Sequence, residues 1–296
     1  MKINRWIPAS ISILATCLWA YWGIIENFHE GWYLPTLAEN LGLMFVQYLS
    51  PMLVFILLTI VSNVRAKIGA FLHFGAALFS AWFFRGGSGG TVMLVASLFS
   101  ILGALYWFSG TRKNRTILLL ALILPLSTAA AFGIAPLLRV LDRSRDVDLS
   151  AQYIPTDDFA LLWAPSGPGW PKTGENWHAA ARVCRYLNAD GTQIESTGSN
   201  IWRLPEVEEA VLSMRCRGKA CGGSWDDANG KAAYDHLPDK DMPLWDIYSP
   251  VIYWWTSSEV DGESAYMIAY DGRVWPRKKS TAQTYLGFRC VRDAVE

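Results

Sequence analysis

The chain has 296 residues, 52% of them hydrophobic, and its 26 basic and 26 acidic side chains cancel to a net charge of zero. That length accommodates about two domains on a scale of roughly 150 residues each. A neutral total gives no sign of a nucleic-acid footprint or of a polybasic lipid-binding face, which leaves membrane and globular classes to be separated along the chain.

Five apolar runs fill the first half: Trp6–Ile25, Leu41–Val61, Ile68–Phe84, Thr91–Ser109 and Ile117–Leu138. None contains Asp, Glu, Lys or Arg. A helix needs about 20 apolar residues to cross a bilayer core, so the pattern predicts an all-α bundle of five spans over residues 6–138. The first run is longer than a signal-peptide core of about 7–15 residues and has no small-residue cleavage site after it, so it reads as a retained span. Pro51 and Pro125 fall inside spans two and five, where neighbouring helices can satisfy the freed carbonyl. His73 reads as a structural interhelical donor rather than part of an ion path. Gly86–Gly90 reads as a tight turn.

Basic residues mark alternate loops. Lys2 and Arg5 precede span one, Arg65 and Lys67 follow span two, and Arg112, Lys113 and Arg115 follow span four. The opposite loops carry Glu26, Glu30 and Glu39, or no charge beyond Arg85. Under the positive-inside rule the N-terminus is cytoplasmic, and five crossings place everything after Leu138 outside. Four of the five cysteines, Cys184, Cys216, Cys221 and Cys290, lie in that outer part, an even number that fits two disulfides in an oxidising compartment.

Residues 139–150 form a charged connector, and 151–296 read as one α+β domain. Asn176–Asn188 places Trp177, Ala181, Cys184 and Leu187 on one helical face with Asn176 as N-cap. Leu204–Met214 reads as a second helix with Pro205 near its start. Tyr253–Ser257, Ser264–Tyr270 and Leu286–Val291 read as strands, with an Asp271-Gly272 turn after the second. Gly218–Leu244 reads as long and irregular.

Metal chemistry is sparsely signposted. His29, His73, His178 and His236 are scattered without metal-ligand spacing. Asp226, Asp227 and Asn229, beside Trp225 and with Asp235 further on, offer the oxygens that calcium takes; a solvated acidic loop is the plainer reading. No serine-hydrolase elbow, zincin or phosphate-loop motif occurs, so an enzyme ranks last.

An ordered series of motifs runs through the outer domain: Leu161-Leu162-Trp163; Trp177 with Ala180 and Cys184; Trp202-Arg203-Leu204-Pro205 with Glu208-Glu209; Tyr253-Trp254-Trp255-Thr256-Ser257-Ser258-Glu259; Asp271-Gly272; and Gly287-Phe288-Arg289-Cys290-Val291-Arg292. Over about residues 157–294 this resembles the Lcl C-terminal-like domain family, bacterial extracytoplasmic modules. The last motif is also similar to the end of formylglycine-generating-enzyme-type domains. The resemblance implies a C-type-lectin-like fold in which Cys184 pairs with Cys290, leaving Cys216 with Cys221. It does not carry the cysteine-based oxidation chemistry, and the calcium-dependent sugar signatures of C-type lectins are missing. Arg203, Arg289 and Arg292 read as structural in that fold. Family members include adhesin domains that bind sulfated polysaccharides; here Arg273, Arg277, Lys278 and Lys279 are the one basic stretch suited to such a chain, with an exposed strand end as the plainer reading.

The expectation is therefore a non-enzymatic module anchored in a bilayer, for which a bacterial inner membrane is expected. Its ligand is a glycan, a surface polymer or an envelope protein, presented to loops 218–246 and 261–262. A sensor or assembly subunit with membrane-protein partners is the alternative.

Overall fold

The computed structural model describes residues 3–86, 89–110, 113–143 and 148–294, apart from the Thr91 side chain. Lys2 and Arg112 of the basic loops, Gly87-Ser88 of the glycine-rich turn, 144–147 of the connector and the final 295–296 lie outside them. The chain divides into two compact units, Met1–Leu141 and Asp142–Glu296.

The first unit is helical. Helix α1 (Trp6–Glu30) starts where the Asn4 Oδ1 accepts from the Trp6 N–H, and stops at Gly31, whose N–H closes on Asn27 O. A capping box between Thr36 and Glu39 opens α2 (Leu37–Leu43), which runs into a π-helical segment, Met44–Tyr48. Helices α3 (Ser50–Val64), α4 (Ala66–Phe83), α5 (Gly89–Trp107) and α6 (Arg115–Arg143) follow.

Three of these helices, α1, α4 and α6, are long and apolar enough to cross a membrane. The expected second span is not one helix. It breaks at Leu49, and the two halves, Leu37–Tyr48 and Ser50–Val64, meet at a bend of 61°. Pro51 is the cause: it lacks an N–H, and its ring excludes the carbonyl four residues back, so it serves the first turn of a new helix instead of kinking an old one. Pro125 and Pro136, by contrast, remain inside α6. The apolar stretch Val92–Trp107 in α5 falls below the length that alone defines a span. The π segment lies close against α1, because a Cβ on Gly23 would stand 2.3 Å from Tyr48 O.

The second unit is strand-rich. Strands β1 (Gln152–Pro155), β2 (Ala160–Trp163) and β11 (Val291–Asp293) form an antiparallel sheet in the order β1-β2-β11. A four-stranded sheet runs β10-β7-β8-β9, from β7 (Tyr253–Glu259), β8 (Ser264–Ala269), β9 (Val274–Lys278) and β10 (Leu286–Gly287), with β10 parallel to β7. The expected last strand is thus two pieces in two sheets.

Helices α7 (Trp177–Arg185) and α8 (Val207–Ser213) pack on these sheets. Asn176 caps α7, its Oδ1 accepting from the Ala179 N–H at 3.0 Å. Pro205 stands outside α8; its carbonyl accepts from the Ser257 N–H.

The segment expected to be irregular holds two hairpins, β3–β4 (Arg215–Cys216, Lys219–Ala220) and β5–β6 (Gly223–Asp226, Lys231–Tyr234). Disulfides join Cys184 to Cys290 and Cys216 to Cys221; Cys17 is free.

The core of this unit is built on indoles. Trp163, Trp202, Trp254 and Trp255 are fully buried, each removing an area that few side chains match. Trp177, Trp202 and Trp255 also donate their Nε1–H to the carbonyls of Thr256, Asn188 and Glu175 at 2.8, 2.8 and 2.9 Å. Trp163 and Trp254 leave theirs unpartnered, so they contribute area alone. Leu204, Gly287 and Phe288 complete the packing between α7 and β10, where a Cβ on Gly287 would press 2.8 Å from Val251.

Candidate functional site

The β5–β6 hairpin carries the acidic residues singled out by sequence. Register pairs Asp226 with Lys231 at its tip and Gly223 with Tyr234 at its base. At the tip, the Asp226 carboxylate accepts from the Asn229 side-chain Nδ2–H at 2.7 Å and from its backbone N–H at 3.1 Å. Those two bonds hold the Asp226 carboxyl below the usual carboxylate range. Asp227 is exposed and approaches the Trp225 indole N–H.

The proposed calcium set is not assembled. Asp235 follows Tyr234 beyond the base of the hairpin, opposite Gly222 and about four strand steps or ~13 Å from Asp226, and its carboxylate packs on Gly222. The tip oxygens of Asp226 are occupied in closing the turn. A different cluster does gather: ligand atoms of Glu26, His29 and Glu30 on α1 all lie within 4.8 Å of one another. It adds two carboxylates beside His29, which sequence spacing compares only with the other histidines. The signal was the i, i+3, i+4 spacing, which puts the three side chains on one helical face. An ion pair of 3.3 Å between His29 and Glu26 accounts for part of it.

The hairpin is docked on the second sheet. Trp225 meets Tyr266 of β8 edge-on, with ring centroids 5.3 Å apart. Tyr234 donates its hydroxyl to Gly272 O at 3.0 Å. Gly272 has a φ of 77°, and a Cβ there would clash with the Tyr234 ring at 2.5 Å, so the β8–β9 turn needs glycine twice over. Burial, with the Asp271 charge beside it, pushes the Tyr234 phenol up; burial likewise pushes Tyr270 up to about 12.

The basic stretch divides by strand geometry. Arg273 is exposed, donates to Asp271 Oδ2 at 2.6 Å and lies over Trp275 at 5.6 Å. Trp275 is half-buried and packs edge-on to Tyr253. Lys278 is exposed, whereas Arg277 is half-buried with its Nε unpartnered. Lys279 is withdrawn from the surface, at 4% exposure. Its ammonium donates to Glu259 at 2.6 Å and to the carbonyls of Asp261 and Gly262, under the face of Trp177 at 4.9 Å. Lys279 therefore ties the β7–β8 turn to β9 and has no donor to spare for a ligand.

The remaining arginines knit the fold. Arg203 makes a bidentate pair with Glu209, both contacts 2.6 Å, and reaches Asp293 at 2.9 Å. Arg292 stacks over Trp202 at 5.1 Å. Arg289 is fully buried, donates to the carbonyls of Ala164, Pro243 and Ser150, and lies 3.6 Å from the Trp170 ring centroid. Its desolvation pulls the guanidinium pKa well down, opposed by Asp148 and Asp246.

What remains is a surface of two parts on the two hairpins: an exposed Asp226–Asn229 tip beside half-buried Trp225 and Tyr266, and exposed Arg273 over half-buried Trp275. Sequence reading found the charged members but missed Tyr266 and Trp275, which only strand pairing brings to them. No protein-family model, curated protein or solved structure matches the chain.

Proposed function

We propose that the chain is a membrane-anchored recognition module whose disulfide-bonded unit binds a glycan or another envelope polymer outside the cytoplasm. In this reading the helical unit crosses a bacterial inner membrane five times, counting the bent α2–α3 pair and α5 as spans, with a cytoplasmic N-terminus. The outer unit is a C-type-lectin-like domain of the Lcl C-terminal-like kind. Long apolar helices and two disulfides in the strand-rich unit support membrane insertion and an oxidising compartment. Carrying the reading is the arrangement of half-buried aromatic rings beside exposed charged and polar side chains: Trp225 and Tyr266 next to the Asp226–Asn229 tip, and the Arg273 guanidinium, paired with Asp271, on Trp275. Rings that offer a face to sugar C–H groups, flanked by carboxylate and guanidinium partners for hydroxyls or sulfates, suit a polyhydroxylated ligand.

The test is an array of glycans, sulfated polysaccharides and envelope components probed with the oxidised full-length protein in nanodiscs, with and without calcium. Binding is expected at one ligand class, reduced at least tenfold by Trp275→Ala or Arg273→Gln and indifferent to calcium. Silence across the array, or a ligand that ignores both substitutions, overturns the proposal.

A further inference from the structure

The neutral total charge conceals a division within the helical unit. Its three carboxylates, Glu26, Glu30 and Glu39, all fall in the segment from the end of α1 into α2. At the other end of α1 the chain gathers cations. The Ile3 N–H bonds to Phe108 O at 3.0 Å, and the Asn63 Nδ2–H bonds to Asn114 O at 2.9 Å. These bonds hold the start of α1, the α3–α4 junction and the α5–α6 junction together. Arg5, Arg65, Lys67, Lys113 and Arg115 therefore share one end, and Lys67 lies over Trp107 at 5.8 Å. Arg65, Lys67, Lys113 and Arg115 are exposed. Among the described residues, none of the five forms an ion pair.

Helix polarity does not offset this. Helices α1, α4 and α6 begin at this end with positive dipole ends, and α3 and α5 finish there with negative ones, so three positive ends and two negative ones meet five positive side chains. Arg65 stands at the N-cap of α4 without a side-chain cap. Among the described residues no carboxylate lies at this end to neutralise the five cations. An external anion would do so, and helix N-termini flanked by Arg and Lys are suited to phosphate oxygens. Exposed Trp6, Trp107 and Phe108 ring the same end, the side chains that settle at headgroup depth.

We propose that this end of the helical unit, built from Arg5, Arg65, Lys67, Lys113 and Arg115, holds the phosphate headgroups of anionic phospholipid. The proposal rests on the reading that the helical unit lies in a membrane, and it adds a chemical requirement on which lipid surrounds it.

The experiment uses the full chain. Carbonate extraction of native membranes comes first; release of the protein would overturn the membrane reading and this proposal with it. The protein is then reconstituted in nanodiscs of phosphatidylcholine, with or without phosphatidylglycerol, and its retained lipids are counted by native mass spectrometry. Preferential retention of phosphatidylglycerol is expected, with a raised melting temperature that inorganic phosphate does not reproduce. Each of Arg65→Gln, Lys113→Gln and Arg115→Gln should weaken retention about fivefold, the equivalent of about 1 kcal/mol per cation near a charged surface. Arg65→Lys and Arg115→Lys should preserve it, and Arg85→Gln should leave it unchanged. Equal retention of both lipids by a carbonate-resistant protein would sink this proposal alone. So would phosphatidylglycerol binding that the three Gln variants keep.

Discussion

At the scale of single residues, the arginines of the closing motifs separate by burial. Arg203 is half exposed, and its pairs with Glu209 and Asp293 lie partly in water, so their worth is about 1 kcal/mol. Arg289 is sealed from solvent and donates to three carbonyls from three separate segments. Arg289→Leu is expected to cost on the order of 3 kcal/mol or more, because buried acceptors lose their donor. Arg289→Lys should recover only part of that, since one ammonium cannot reproduce the planar fork over Trp170. Chemical denaturation of the oxidised protein would measure both; a cost for Arg289→Leu no larger than that for Arg203→Leu would remove Arg289 from its central place. Sequence alone named both as structural but could not rank them, because burial depends on which carbonyls the rest of the chain delivers. The same limit explains Lys279. In sequence it continues a basic run, yet it sits in the turn just after β9 and reaches Glu259 from there while Lys278 is exposed.

At the scale of elements, legibility followed how local the signal was. Helix α7 was readable from its apolar spacing and Asn176 cap, both of which act within one turn. The hairpins β3–β4 and β5–β6 were not, since two- and four-residue strands with polar tips carry too short a pattern. The broken second span was hidden for another reason. Hydropathy reports only that Leu41–Val61 is apolar, and Pro51 is compatible with either a kink or a restart.

The two disulfides differ as elements of stability. Cys184–Cys290 spans a separation of 106 residues, and Cys216–Cys221 one of 5. In the chain-entropy model the first is worth about 5 kcal/mol and the second about 2. Replacing Cys184 and Cys290 together by Ala should therefore lower the unfolding free energy of the strand-rich unit more than twice as much as replacing Cys216 and Cys221. Equal losses, read from urea titrations, would mean that local packing rather than loop length sets the contribution.

At the scale of the whole molecule, the two units answer to different variables. The strand-rich unit should weaken in alkali. An unfolded tyrosine ionises near pH 10, whereas folded Tyr270 is pushed up to about 12 and Tyr234 is raised in the same direction. A raised folded pKa means the stabilisation is whole below about pH 10 and is lost as pH climbs toward 12. Calorimetry of the reconstituted protein should show one transition moving down over that window, with tyrosinate absorbance at 295 nm rising as it melts. A flat midpoint to pH 12 would show that these phenols are not held neutral by the fold. The division into a helical and a disulfide-bonded unit was the most legible property of all, because composition alone changes between residues 138 and 151. What lay beyond reach was the identity of the exposed surface, which exists only after β8, β9 and a separate hairpin have met.

The order of strands in the first sheet has a consequence for biosynthesis. Strand β2 pairs with β1 almost as soon as it is made, but its other edge is completed only by β11, the last strand of the chain. Until then the emerging polypeptide shows an open β edge and an unpaired Cys184 thiol, both waiting on the same few residues around Cys290. Until those residues emerge, Cys216 and Cys221 are the thiols of the same unit already available to Cys184, so the native pairing of this sheet and of its long disulfide is completed together and late.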